Sequence, residues 1–430
     1  MKKGLLLLVL VFAVSLMGLT TFVSAQEEVT LSAWTHDQLY IDYFNSRIDE
    51  WEAMHPDITF TYDFQIIPEV WDRVLEGLAA GEEVPDLLGL EQGGFPNYMK
   101  DGVIANYFVD LTDLIGDRYD DYAEGRWTIY SYEGRVYAIE SSLTASVYYY
   151  QPAVFEEYGV EVPESWEEML ELGETVFGPE GVSLNVATNS GNWFQMLFNQ
   201  RGGDVFDESG TFVFGDETNR PLAIEVADYI QRAVANGTFF VVLGDDHWSG
   251  VTIPTAYREG RLIGHMMPDW WSSCCLKPNV EEMAGEWRIA PPPTWEGGGY
   301  STTVWGGTGW AVAKGEDQEI AWEFLEFMYL GAESQVQRFE LINMFPTNFE
   351  AMEDPRVSEL IDAFYGGQEI GSVYASLGRG VPVWYQSPFR SNWSTAIGDN
   401  LPLLFDGSMT PEAFVDQAIS ITQDAIDFGF

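Results

Sequence analysis

A chain of 430 residues exceeds one small module and has room for two globular domains. With 46% hydrophobic and 15% aromatic residues it is globular, which excludes extended disorder and low-complexity architectures. Its 68 Asp and Glu against 20 Lys and Arg leave a formal net charge of -48, which repels phosphates and anionic lipid and argues against a nucleic-acid partner.

Residues 1–25 read as a secretory leader: Lys2 and Lys3, an apolar run from Gly4 to Leu19, then Val23-Ser24-Ala25 as a small-x-small cleavage site. The mature chain is expected to begin at Gln26. An uncleaved anchor is the alternative, because the apolar run approaches membrane-spanning length, but no basic stop-transfer flank follows. No cysteine near the cleavage site offers a lipid anchor, so a periplasmic or extracellular protein is expected.

Val29 to Trp34 is a short apolar strand, followed by a helix with Ile41, Phe44, Ile48 and Trp51 on one face that breaks at His55-Pro56-Asp57. Ile58, Phe60, Tyr62 and Phe64 alternate with polar residues as a second strand. A second helix carries Val70, Val74, Leu75 and Leu78, and Val84 to Leu90 is a third strand. This βαβαβ order predicts a parallel sheet whose ligand crevice lies at the strand carboxyl ends. Trp34-Thr35-His36-Asp37 and Glu91-Gln92 therefore become site candidates.

A strand at Ser146 to Tyr150 opens a second α/β segment, in which Ser165-Trp166-Glu167-Glu168 matches a capping box and starts a helix. Leu222 to Ala235 and Gln318 to Tyr329 show helical periodicity, the latter after an apolar strand at Trp310 to Ala313. Two further helices are expected near Pro355 to Phe364 and Pro411 to Phe428, with Pro411 at a favoured first-turn position.

Catalytic motifs are missing. There is no Gly-x-Ser-x-Gly elbow, Walker loop or His-Glu-x-x-His, and the four histidines have no ligand spacing. Gly307-x-Gly309 runs into a strand where a dinucleotide site needs a helix N-terminus. No catalytic residue, metal or cofactor is expected. The positive signal is aromatic residues in loops beside Asn, Asp or Gln: Trp34, Trp193, Trp270, Trp271, Trp305 and Trp384. Sugars present apolar C–H faces and rings of hydroxyls, which call for flat aromatic platforms and paired polar groups.

Lysine is nearly absent, at five residues, so the acidic surface lacks the Lys partners of a thermophile surface. Such self-repulsion is best tolerated where salt screens it, which points to a salty habitat, with an acidic lineage lacking halophily as the alternative. The only cysteines, Cys274 and Cys275, are adjacent; a vicinal disulfide and two buried thiols are both open to them.

At this point the chain resembles the extracellular solute-binding proteins of ABC sugar importers, the family that includes maltose-binding protein. The residues that carry the likeness are Trp34, Val84-Pro85-Asp86-Leu87-Leu88, Tyr148-Tyr149-Tyr150, Val162 to Glu168, Gly202-Gly203, Gly306-Gly307 and Ala321-Trp322-Glu323-Phe324.

The resemblance implies an α/β fold of two lobes, with a hinge and an interlobe ligand cleft. Residues 26–147 with 309–343 would form one lobe and residues 148–308 with 344–430 the other. The crossings are expected near Tyr148 to Gln151, Trp305 to Thr308 and Asn343 to Asn348. By the same resemblance the ligand residues are Trp34, Asp37, Glu91, Gln92, Tyr148, Asn192, Trp193, Asp269, Trp270, Trp271, Trp305, Gly306, Gly307, Trp384 and Arg390. Trp34, Trp193 and Trp270 would stack on sugar faces, while Asp37, Glu91, Asp269 and Arg390 would hold hydroxyls. The implied partners are a di- or oligosaccharide and the transmembrane subunits of an ABC permease, with the protein itself a monomer. A vicinal disulfide after Trp270-Trp271 would add a rigid apolar plate. A glycoside hydrolase, with two carboxylates across a scissile bond, and a binder of polyamine or peptide are the alternatives.

Overall fold

The computed structural model describes residues 27–82 and 84–429; the leader expectation falls outside them. β1 (Glu27–Thr35) pairs in parallel with β2 (Ile58–Ile66) and with β3 (Leu87–Glu91), joined by the helices Gln38–Met54 and Val70–Ala80. The third strand starts later than the apolar run suggests. Pro85 has no N–H to give a ladder, and Asp86 turns aside to accept from the Ser32 N–H at 2.8 Å and the Ser32 hydroxyl at 2.6 Å.

A short hairpin, β4 (Ser131–Tyr132) and β5 (Arg135–Val136), precedes β6 (Ile139–Glu140). The sheet is then completed in a way the βαβ order does not foresee. A later strand, residues 308–312, returns antiparallel to β3 and receives β6 on its far edge. It arrives from the other half of the molecule, so no right-handed crossover forces it parallel. Alternation along it sends Trp310 and Val312 to one face and Ala311 to the other. One face packs on Phe44, Trp51 and Phe324, the other on Val70, Phe95 and Tyr98.

The second core is larger and built mostly from residues after Leu143. β7 (Ser146–Tyr150) is the centre of a three-stranded antiparallel sheet, and β8 (Asn185–Ala187) pairs in parallel with β9 (Phe239–Val241). The partners of β7 are β10 (Gly264–Pro268) and β11 (Arg288–Ala290); β12 is the returning strand Thr308–Val312. The capping box forms: Ser165 accepts from the Glu168 N–H and the Glu168 carboxylate accepts from the Ser165 N–H. Thr410 caps the C-terminal helix Pro411–Phe428. The helix expected near Pro355 to Phe364 stops at Ser358. Ile361-Asp362 instead pairs with Gln368-Glu369 across Gly366 and Gly367, because the Asp362 carboxylate takes the Phe364 N–H and both glycines adopt left-handed φ.

The chain passes between the two cores three times. Ser141 N donates to Thr308 O at 3.0 Å, Leu143 N to Phe345 O at 2.9 Å and Ser146 N to Thr303 O at 2.8 Å, so residues 141–146, 303–308 and 343–345 lie side by side. The first crossing thus precedes the expected Tyr148 to Gln151, since Tyr148 sits inside the second sheet.

Candidate functional site

A cavity of about 550 Å³ lies where the carboxyl ends of β1 and β3 meet the crossing segments. β1 ends at Thr35, and the chain turns through His36-Asp37 into the first helix. Asp37 is that helix's N-cap, accepting from the Leu39 N–H at 2.9 Å. β3 ends at Glu91, whose carboxylate accepts from the Gly93 N–H. Asp37 and Glu91 line the cavity together with His36, Tyr40 and Trp71.

Gly306 and Gly307 form the next stretch of wall. Their φ angles of 70° and 113° suit glycine alone, and a Cβ on Gly307 would stand 2.6 Å from Glu140 Oε2. Behind them Arg126 donates to Glu140 at 2.6 Å, both side chains 1% exposed, and reaches Gly306 O at 3.2 Å. Removing either partner would leave a charge without water, so the pair holds this loop in one place.

Three tryptophans build the apolar side. Trp270 lies 6.1 Å from Trp248 and 6.3 Å from Trp305 between ring centroids, and Trp248 lies 5.7 Å from Trp305. Trp270 Nε1 donates to Trp305 O at 2.9 Å, which fixes its plane. Trp248 is 52% exposed and stands at the lip. One turn past Trp270, Cys274 and Cys275 are joined by a disulfide, and both line the same cavity.

Of the residues expected at the site, Asp37, Glu91, Asn192, Trp270, Trp305, Gly306 and Gly307 meet in this lining. The others lie elsewhere, each for a reason visible in its packing. Tyr148 is fully buried and donates to Leu184 O at 2.7 Å. Trp193 sits in the second core with its ring edge-on to Phe239 and Phe405. Trp271 is buried against His265, and Trp34 packs with the cluster of Val70 and Leu88. Trp384 is buried beneath the Arg390 guanidinium, 5.1 Å from its ring centroid. Gln92 is a latch: its N–H donates to Gly307 O at 3.0 Å, and its backbone carbonyl accepts from Gln386 at 2.8 Å.

Asp269, expected to hold a hydroxyl, is fully buried and ties the crossings together. Its carboxylate accepts from Ser142 Oγ, from Phe345 N at 2.8 Å and from Trp270 N at 2.9 Å. Arg390 is likewise one step removed from the cavity. It donates to Gln195 at 2.6 Å and to the side-chain oxygen of Asn192 at 2.6 Å, so it positions a lining residue. Trp71 and Trp248 were not singled out in the sequence. Trp248 carries the signal used for the others, an aromatic in a Gly/Asp/Ser loop (Gly244 to Gly250); Trp71 lies at the start of a helix, where it reads as core.

Burial dominates the electrostatics. It pushes the Glu91 carboxyl up to about 7, against the pull of the Gly93 N–H and the Arg390 charge. Asp269 is pushed up to about 6 by the same cause, and Arg390 is lowered to about 10 yet stays cationic at neutral pH. His247, behind the tryptophans, is pulled down to about 4 by burial and is neutral. Among the described residues no Lys or Arg lines the cavity. Flat aromatic plates, two carboxylates and one amide without a Lys or Arg disfavour an anion and offer stacking surface and acceptors to a ligand that donates hydrogen bonds.

The sequence profile of the bacterial extracellular solute-binding proteins matches residues 39–330. The chain is 25% identical over 405 residues to the arabinooligosaccharide-binding protein of Bacillus subtilis, covering 91% of each. It is 26% identical over 350 residues to the arabinooligosaccharide-binding protein of Halalkalibacterium halodurans, covering 79% of this chain and 76% of that one. Among solved structures, the galacto-N-biose-/lacto-N-biose I-binding protein of a Bifidobacterium longum ABC transporter, in complex with lacto-N-biose, superposes with a TM-score of 0.74 at 21% identity. The superposition covers 94% of this chain and 98% of that one, a likeness of fold.

Proposed function

The chain belongs to the bacterial extracellular solute-binding protein family, and from that premise we propose that it is the sugar-capturing component of an ABC importer. It takes an oligosaccharide into the cleft between its lobes and delivers it, enclosed, to the membrane permease. The observation that carries this reading is the cavity at the crossings, where Trp248, Trp270 and Trp305 stand in the same lining as Asp37, Glu91 and Asn192. Trp248 and Trp270 offer ring surface to sugar C–H groups, with the buried Trp305 packed behind them, and the carboxylates accept hydroxyl hydrogens. The names of the Bacillus and Halalkalibacterium relatives put arabino-oligosaccharides first among the candidates.

In this reading the lobe of the first sheet, residues up to about 140 with 309–342, moves against the lobe of residues 147–302 with 346–430, hinged on the crossings at 141–146, 303–308 and 343–345. The leader directs secretion, and the protein acts as a monomer without catalysing a reaction on its cargo. Its acidic surface is suited to a salty medium.

A thermal-shift screen of the leaderless protein tests the proposal with arabino-, malto- and galacto-oligosaccharides, a polyamine and short peptides. A sugar at about 100 times its dissociation constant adds about 2.7 kcal/mol of stability, a rise of a few degrees. The sugar is expected back intact. A shift with the polyamine or peptides and none with any sugar refutes the sugar reading, and release of reducing ends turns it toward a hydrolase.

A further inference from the structure

Cys274 and Cys275 are the only cysteines of the chain, and they are bonded to each other in the wall of the cavity. A disulfide ordinarily stabilises a fold by closing a loop in the unfolded chain, an effect that grows with loop length. Here the sequence separation is one residue, so almost no loop is closed and no distant segments are joined. Its place in this structure therefore calls for another reason, and the cavity supplies one.

We infer that the Cys274–Cys275 disulfide is a ligand-contacting plate, on which the C–H face of one sugar ring rests beside Trp270 and Trp248. The inference rests on the sugar-binding reading above and assigns one wall of that site. The chemistry fits the role. Bonding two adjacent residues closes a small ring through the 274–275 peptide; its side-chain edge carries no N–H or O–H, and its two sulfurs are polarisable and bind soft C–H surface by dispersion. The reduced pair would be two freely rotating thiols, each a weak hydrogen-bond donor, with no common face.

The surrounding structure holds the plate in register with the aromatics. Cys274 N donates to Trp270 O at 3.1 Å, and Asn279 Nδ2 caps Cys275 O at 2.8 Å. Lys277, just beyond, is bonded to Asp362, which anchors the turn to the second core. Both cysteines are half-buried, facing the cavity without being sealed into the core.

The test uses the full mature protein and a phosphine reductant. The phosphine attacks one sulfur, the S–S bond breaks, and water converts the resulting phosphonium to phosphine oxide while both sulfurs leave as thiols. Two measurements are made with arabinotriose, or with whichever panel sugar gives the largest thermal shift. In the first, saturating sugar slows thiol release by about tenfold or more, because the bound ring covers the sulfurs. In the second, calorimetric affinity falls about tenfold in the reduced protein and in the Cys274→Ser/Cys275→Ser variant, with circular dichroism unchanged. The Cys274→Ala/Cys275→Ala variant guards against an effect peculiar to serine hydroxyls.

Equal rates of thiol release with and without sugar, or equal affinities of the oxidised and reduced forms, would overturn the plate while leaving the sugar site standing. If no sugar on the panel binds the oxidised protein, the sugar reading falls and the plate falls with it.

Discussion

Glu91 offers the sharpest test of how this cavity would hold a sugar. Its carboxyl is raised to about 7 by burial, and it reaches the cavity from the end of β3. If the ionised form is the acceptor for a sugar hydroxyl, the fraction competent to bind is about 0.9 one pH unit above that value and about 0.1 one unit below it. Apparent affinity then falls about tenfold between pH 8 and pH 6, since the dissociation constant scales inversely with the competent fraction. Glu91→Gln keeps the shape and removes the charge. A hydrogen bond to a charged group contributes about 1.5–3 kcal/mol, so this variant binds about 10- to 100-fold more weakly at pH 8. Its affinity is flat across the same pH range. Isothermal titration calorimetry at half-unit steps from pH 5.5 to 8.5 measures both curves. A flat wild-type curve, or a Glu91→Gln variant that binds as tightly as wild type at pH 8, would refute the argument.

Three further outcomes follow from where the side chains sit. Trp193→Ala leaves a hole in the second core and costs about 3–5 kcal/mol in denaturant unfolding, whereas Trp270→Ala weakens sugar binding with little change in stability. Weakened binding at unchanged stability for Trp193→Ala would return that residue to the site. Asp269→Asn removes a buried acceptor serving three donors and lowers stability by about 1–3 kcal/mol in thermal melts. The pH dependence has a definite sign: the folded carboxyl, raised to about 6, binds its proton more tightly than an unfolded aspartate at its ordinary value of 3.8. This group's contribution is therefore greatest below about pH 4 and is lost as the pH rises through 6, so Asp269→Asn flattens the melting profile across that window. Raising sodium chloride from about 0.1 M to 1 M shortens the Debye length from about 10 Å to about 3 Å and raises the melting temperature by relieving repulsion among the 68 acids. A melting temperature that falls with salt would count against an adaptation to salt.

What could be read in the chain follows from what a local pattern controls. The Ser165 to Glu168 capping box, Pro411 in the first turn of the last helix and the alternation through Ile58 to Phe64 each concern neighbours within one turn or one strand, and each appears as expected. The parallel trio β1, β2 and β3 follows from helices linking consecutive strands. The antiparallel entry of β12 does not, because its partner in the sheet is more than 200 residues upstream and no local pattern encodes that pairing.

The site divides along the same line. Chemical type is a property of the sequence, and the recurrence of tryptophan beside Asn, Asp and Gln in loops was enough to point toward a carbohydrate. Which tryptophan faces the cavity is a property of packing. Trp270 and Trp271 are adjacent in sequence, yet one lines the cavity and the other is buried against His265, since consecutive side chains leave the backbone in different directions and only the surrounding cores determine which direction is solvent. Asp269 and Glu91 are both raised carboxyls, but three donors from the crossings occupy Asp269 while Glu91 remains turned to the cavity. Composition and local periodicity thus determined the globular α/β character and many of the elements, while the family reading came from a resemblance carried by motifs along the chain. The tertiary structure decided which residues meet a ligand, because that depends on burial and hydrogen-bond partners brought together from segments far apart in the chain.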